Sequence, residues 1–270
     1  MQGLHDFIPT EVKIQYLNLL LQVGFDTLDF GSFVSPKAIP QMRDTGELVE
    51  QLELDKSNTK LLAIVANRRG AVNAVAFEQV TYLGYPFSIS ETFQMRNTNA
   101  TIEESLERVK VIQELCVQHG KQMVIYISMG FGNPYGDDWH VEIVQYWVER
   151  LADLDISIFQ LSDTVGVAQP DSIEYLFSNL IPASPNLEIG AHFHTTPDTW
   201  LEKVATAYDN GCRRFDGTIK GIGGCPMAQN HLVGNMPSEN LIQFAHSKKI
   251  ETNLNEAAYL EAMLMASKIM

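Results

Sequence analysis

Short aliphatic and β-branched runs alternate along this chain with longer stretches in which apolar residues return every three or four positions. The runs fall at residues 27–30, 61–66, 80–85, 123–128, 156–161, 187–194 and 213–219. They are largely apolar, as expected of parallel strands whose two faces are covered. The stretches between them have helical period. The clearest spans residues 102–119. Thr101 stands at its N-cap with Glu104 three residues on, and Gly120 closes it, the signature of a capping box and a glycine stop. Pro9-Thr10, Pro170-Asp171 and Pro197-Asp198 mark three further helix starts, where a missing N–H does no harm. Residues 256–270, rich in Met and Leu, predict a C-terminal amphipathic helix packed on the rest.

Strand alternating with helix predicts an α/β fold with a parallel sheet and crossover helices. Seven strand-like runs are visible, whereas a closed (β/α)₈ barrel needs eight. The chain also opens on a helix. The expectation is therefore a (β/α)₈ TIM barrel lacking its first strand, with additional C-terminal helices, residues 1–270 forming one catalytic domain. An open doubly wound sheet is the alternative. No GxGxxG follows an early strand, and polar clusters stand behind several strands rather than at one crevice, which weighs against it.

Composition adds exclusions. The 270 residues carry 19 Lys and Arg against 33 Asp and Glu, a formal charge of −14. Such a chain does not obviously supply the basic face that nucleic acid or an anionic membrane requires. No apolar run reaches the length of a membrane span, and the N-terminus lacks the charged and apolar regions of a signal peptide. Three widely spaced cysteines, Cys116, Cys212 and Cys225, form no CxxC pair, so a reducing cytoplasm is the expected compartment.

The candidate chemistry gathers at strand ends. In Gly190-Ala191-His192-Phe193-His194 the two histidines share one face of a strand, and Gly190 leaves room beneath them. Two neutral imidazoles at that spacing can share a divalent cation; equally, they can be two hydrogen-bonded histidines in a polar pocket. Gly221-Ile222-Gly223-Gly224-Cys225-Pro226 follows the last strand. Its glycines permit positive φ or a close backbone approach. Its thiol could exchange a proton, or the loop could be purely structural. Asp163 ends one strand and is expected at the same rim; Asp29 ends another, and Asn235 lies in Gly234-Asn235-Met236-Pro237. Each alone reads as a turn or cap residue. Their convergence with two imidazoles would suit Mg²⁺, Mn²⁺ or Fe²⁺ better than a closed zinc site. The polar stretch from Asn133 to Asp138 could be a substrate loop or an exposed turn.

These motifs together resemble the 3-hydroxy-3-methylglutaryl-CoA (HMG-CoA) lyases. The matching pieces are Ser32-Phe33-Val34-Ser35-Pro36-Lys37 with Pro40-Gln41-Met42, Ser162-Asp163-Thr164-Val165-Gly166-Val167, His192-Phe193-His194, Gly221 to Pro226 with Ala228-Gln229, and Gly234-Asn235. The resemblance implies retro-Claisen cleavage of HMG-CoA to acetyl-CoA and acetoacetate with Mg²⁺ or Mn²⁺ as cofactor. It implies His192, His194 and Asn235 as metal ligands and Cys225 as the acid. Asp163 would act behind the ligands or in acid–base transfer, and Asp29 stands where relatives carry Glu. Gln2, Ser35 and Lys37 would contact the substrate, Lys37 at a phosphate.

The family's Arg-Asp pair would lie just ahead of Met1, in agreement with the strand count, so the chain as given is expected to be impaired. The expected partner is an acyl-CoA, with no nucleic acid or membrane; a homodimer is kept open. Two alternatives remain at this level: a related Claisen-type acyl-CoA synthase or 2-oxo acid aldolase, and a barrel fragment without catalysis.

Overall fold

Strand and helix alternate as the pattern requires in the computed structural model, which describes residues 1, 4, 6–223 and 233–270. Strands β1 (Thr27–Ser32), β2 (Lys60–Ile64), β3 (Val80–Ser88), β4 (Gln122–Ser128), β5 (Ile158–Asp163), β6 (Glu188–Thr195) and β7 (Gly234–Asn235) lie in sequence order in one sheet. The helices between and after them are α1 (Thr10–Val23), α2 (Thr45–Glu50), α3 (Arg68–Val75), α4 (Glu91–Thr98), α5 (Ile102–Gln118), α6 (Val141–Ala152), α7 (Pro170–Ala183), α8 (Trp200–Asp209), α9 (Ser238–Ser247) and α10 (Glu256–Ile269). No helix among the described residues is long and apolar enough to cross a membrane. The chain divides into two compact units.

The first unit comprises Met1–Gly84, Glu114–Gln122 and Glu251–Met270. Here β1 pairs in parallel with β2, and β2 with β3. Helix α1 starts after Pro9 and stops at Gly24 in the left-handed region, φ 83°. It buries Leu17, Leu20, Leu21 and Val23 and packs on α10. The stripe that α10 buries is Ala258, Tyr259, Ala262 and Ala266, not its Met and Leu residues. Small side chains let two helix backbones approach, while Leu260 and Leu264 face outward, about two thirds exposed. A buried clasp fixes the segment before α1. Lys13 Nζ donates to Asp44 Oδ1 at 2.8 Å and to the Gln41 carbonyl, and lies over the Phe7 ring. Gln41 in turn accepts from the Ile8 N–H at 3.0 Å and donates to the Asp6 carbonyl at 2.7 Å.

The second unit comprises Tyr85–Gln113 and Met123–Ile250. Its parallel strands β4, β5 and β6 are in register Tyr126↔Gln160 and Ser162↔His192. Phe159, Leu161 and Phe193 of the strands and Val144, Val148, Leu176 and Phe177 of the helices are all buried in its core. The capping box at α5 forms as predicted: the Glu104 N–H donates to Thr101 Oγ1 at 3.1 Å, and the Thr101 N–H to Glu104 Oε2 at 2.9 Å. Helix α7 starts at Pro170, as predicted. Helix α8 starts at Trp200 rather than Pro197, because Pro197 to Thr199 form a turn closed by the Thr199 N–H on the Thr196 carbonyl at 3.2 Å.

The run at 213–219 differs from its prediction. It makes two isolated parallel bridges, Phe215 to Ala191 and Thr218 to Pro237. It changes neighbour between them, so no ladder of consecutive pairs forms. Strand β7 was not anticipated: it is antiparallel to β6 and pairs Asn235 with His194.

Candidate active site

The second unit gathers one set of side chains on one face of its strands. Period-two alternation sends Gln160 and Ser162 of β5 the same way as Gly190, His192 and His194 of β6, and the register sets Gln160 directly beside Gly190. The space that Gly190 leaves is filled by the Gln160 amide: a Cβ there would overlap Gln160 Oε1 and stand 2.9 Å from the Arg214 carbonyl. The bridge at Phe215 is made by the Ala191 N–H on the Arg214 carbonyl, 2.9 Å, and the Asp216 N–H on the Ala191 carbonyl, 3.0 Å. It carries Asp216 alongside. His192 Nδ1 lies 3.0 Å from Asp216 Oδ2, and Gln160 Nε2 donates to Asp216 Oδ1 at 3.0 Å. Tyr126 of β4 meets the His192 ring edge-on, centroids 5.5 Å apart. The side chains of His192 and Asp216 are 30% and 27% exposed, so this end of the network is open to a ligand.

His194 lies deeper, with its ring centroid 5.6 Å from that of His192. Burial, reinforced by the neighbouring His192, pushes its imidazole down to about 3, so it is neutral across physiological pH. Asn235 stands opposite His194 in the β6–β7 pairing. Its Nδ2 donates to the Ile222 carbonyl at 3.2 Å. Gly223, at φ 104°, is where the following loop closes on Asn235: a Cβ there would stand 2.8 Å from Asn235 Nδ2. Of the loop's described glycines, Gly221 and Gly223 both take positive φ, 63° and 104°, one of the two roles that their spacing suggests. Cys225 lies outside the described residues. The other two thiols, Cys116 and Cys212, are buried and free, and burial pushes both up to about 12, which makes them unreactive.

Among the described residues no group of three or more His, Cys, Asp or Glu is placed to hold a metal ion. The donor set on offer is two imidazoles and one amide. It fits a divalent cation in two respects: His194 is neutral, and His192 has one nitrogen engaged by a carboxylate, the arrangement that orients a metal-binding imidazole.

Asp163 does not join this face. It alternates with Ser162 onto the helix-covered side, where Lys203 Nζ of α8 donates to its Oδ2 at 2.6 Å. The Val167 and Ala168 N–H groups donate to its Oδ1 at 2.7 and 3.0 Å. Lys203 also donates to the His194 carbonyl, 3.1 Å, and the Gly166 carbonyl, 3.0 Å. Asp163 is thus 1% exposed and ties the loop after β5 to the backbone of His194. Burial pushes its carboxyl up, and the Lys203 ammonium opposes that shift.

Asp29, Ser35 and Lys37 belong to the first unit. Asp29 is exposed on β1, in register with Leu62 beside an irregularity in the ladder. Ser35 turns the chain, its carbonyl accepting from the Ala38 and Ile39 N–H groups and its Oγ from the Lys37 N–H at 3.4 Å. The Lys37 side chain is exposed. Gln2 lies outside the described residues.

Sequence reasoning did not single out Asp216, Gln160 or Lys203. Gln160 did carry a signal, as an amide in the middle of an apolar strand that is buried at every position.

Residues 1–265 match the HMGL-like family. The chain belongs to that family. Among relatives of this HMGL-like chain is a hydroxymethylglutaryl-CoA lyase of Bacillus subtilis, 34% identical over 97% of this chain and 85% of the relative. Another is a Pseudomonas aeruginosa protein named 3-hydroxy-3-isohexenylglutaryl-CoA/hydroxy-methylglutaryl-CoA lyase, 30% identical over 94% of this chain and 84% of the relative. A solved HMG-CoA lyase of A. baumannii, in complex with coenzyme A and 3-methylmalate, superposes with a TM-score of 0.91 at 30% identity, covering 99% of this chain and 87% of that one.

Proposed function

We propose that this chain is a carbon–carbon lyase that cleaves HMG-CoA to acetyl-CoA and acetoacetate. The observation that carries the reading is the convergence of His192, His194 and Asn235 on one face, in a chain whose relatives bear that activity in their names. These three residues would hold Mg²⁺ or Mn²⁺ through two ring nitrogens and an amide oxygen. Such a cation supplies positive charge that lowers the pKa of the substrate hydroxyl and orients the bond to be broken.

The remaining steps belong to protein groups. A base takes the proton of the C3 hydroxyl. The C2–C3 bond breaks, its electron pair leaving as the enolate of acetyl-CoA, and C3 becomes the ketone of acetoacetate. The Cys225 thiol gives C2 its proton. Asp163 acts from behind, holding the His194 backbone through Lys203. Ser35 and Lys37 contact the CoA portion, and Gln2 and Asp29 complete the substrate and acid–base set. The reducing cytoplasm is the compartment we propose, which suits two free buried thiols.

The relative named for an isohexenyl substrate favours one second reading, a 3-hydroxyglutaryl-CoA with a longer 3-alkyl chain. The assay gives the protein HMG-CoA and, separately, the longer analogue, each with Mg²⁺ or Mn²⁺. Acetoacetate from HMG-CoA is the expected result. Turnover of the longer analogue alone would select the second reading, and no turnover of either would contradict both.

A further inference from the structure

We propose that Asp216, oriented by Gln160, is a positioning residue that fixes which ring nitrogen of His192 faces the site. The inference rests on the reading of His192 as a cation ligand and adds to it the residues that prepare the ring. A carboxylate has only acceptor sites. Both groups that meet Asp216 must therefore donate: Gln160 through Nε2 at 3.0 Å and His192 through Nδ1 at 3.0 Å. The proton on His192 is then fixed on Nδ1, and Nε2 carries the lone pair that a cation needs.

The arrangement is held at both ends. The Asp216 backbone is pinned to β6 by the Ala191 pair of hydrogen bonds. The Gln160 amide is fully buried and confined by Gly190, its neighbour in the register. Its Oε1 is left without a partner. An amide turned the other way would set oxygen against the carboxylate, so the orphaned acceptor accompanies the orientation that Asp216 demands. The Tyr126 ring packs perpendicular to the His192 ring, centroids 5.5 Å apart.

The test uses the 270-residue protein free of metal, with ¹⁵N-labelled histidine, at a pH where imidazole is neutral. Long-range ¹H–¹⁵N correlation reads the tautomer of His192. Mn²⁺ affinity is read from the signal of free Mn²⁺ in wild type, Asp216→Ala, Gln160→Leu and His192→Ala, with thermal unfolding followed in each. The expected result is an Nδ1–H tautomer in wild type. Asp216→Ala should lose that tautomer and bind Mn²⁺ about 10- to 100-fold more weakly, and Gln160→Leu should move both readouts the same way by a smaller factor. A purely structural role would leave the tautomer where it is in folded variants. The proposal is overturned by an Nε2–H tautomer in wild type, a measurement that needs no variant to fold. It is also overturned if Asp216→Ala binds as wild type while His192→Ala does not. Undiminished binding in His192→Ala would remove the cation site itself, and the positioning role with it.

Discussion

At the scale of single residues, position in the ladder decides role. His192 and His194 face the site because two-residue spacing on β6 puts them there, and that much is legible in the sequence. Asp216 is not, because the contact joins residues 24 apart through a bridge between neighbouring segments. Asp163 was legible as a strand-end carboxylate, but its parity with Ser162 turns it to the side of α8, where Lys203 meets it. Removing one member of such a buried pair leaves the other charge without compensation. Lys203→Met should therefore destabilise by about 3–5 kcal/mol in urea unfolding, far more than an exposed Lys would cost. Loss below about 1 kcal/mol would mean that the pair does not hold the loop after β5. Gly190→Ala, which sets a Cβ into the Gln160 amide, should cost about 1–3 kcal/mol by overpacking and weaken cation binding as Asp216→Ala does. Unchanged stability and binding would show that the close contact is relieved at no cost.

Elements are legible where burial imposes a period, and less so where partners do. Six of the runs form strands because apolar residues on both faces leave few other solutions. The two-residue β7 has no period to detect. The run at 213–219 loses its ladder by exchanging one neighbour for another, which no local pattern records. The stretch from Asn133 to Asp138, either a substrate loop or an exposed turn by composition, is tied to the start of α4. Asp137 accepts from Ser90 Oγ at 2.5 Å, the Thr92 N–H at 3.0 Å and Thr92 Oγ1 at 2.9 Å. Burial works against ionisation there, yet these hydrogen bonds and the Arg96 charge outweigh it and hold the carboxyl below its ordinary 3.8. A depressed value contributes stability that is present above 3.8 and fades as pH falls through the folded-state value. Asp137→Asn, which gives up an ionised acceptor of these hydrogen bonds, should lower stability by about 1 kcal/mol near neutrality, and the gap from wild type should close in acid below 3.8. A gap that persists at all acidities would assign the contribution to packing rather than charge.

For the whole molecule, strand and helix order was legible from the alternation of runs, and the HMGL-like match over residues 1–265 agrees with it. We propose that activity depends on what that order brings together: two imidazoles and an amide on one face, with a carboxylate behind one ring. A net charge of −14 disfavours polyanions as partners but does not say which small anion binds, so the substrate rests on the site. The most direct measurement strips the protein of metal with a chelator and follows acetoacetate released from HMG-CoA before and after Mg²⁺ or Mn²⁺ is returned. The account predicts release that falls to background on stripping and is restored by either cation, but not when His192 is Ala. Release that continues undiminished in the chelator, or in the His192→Ala chain, would contradict it.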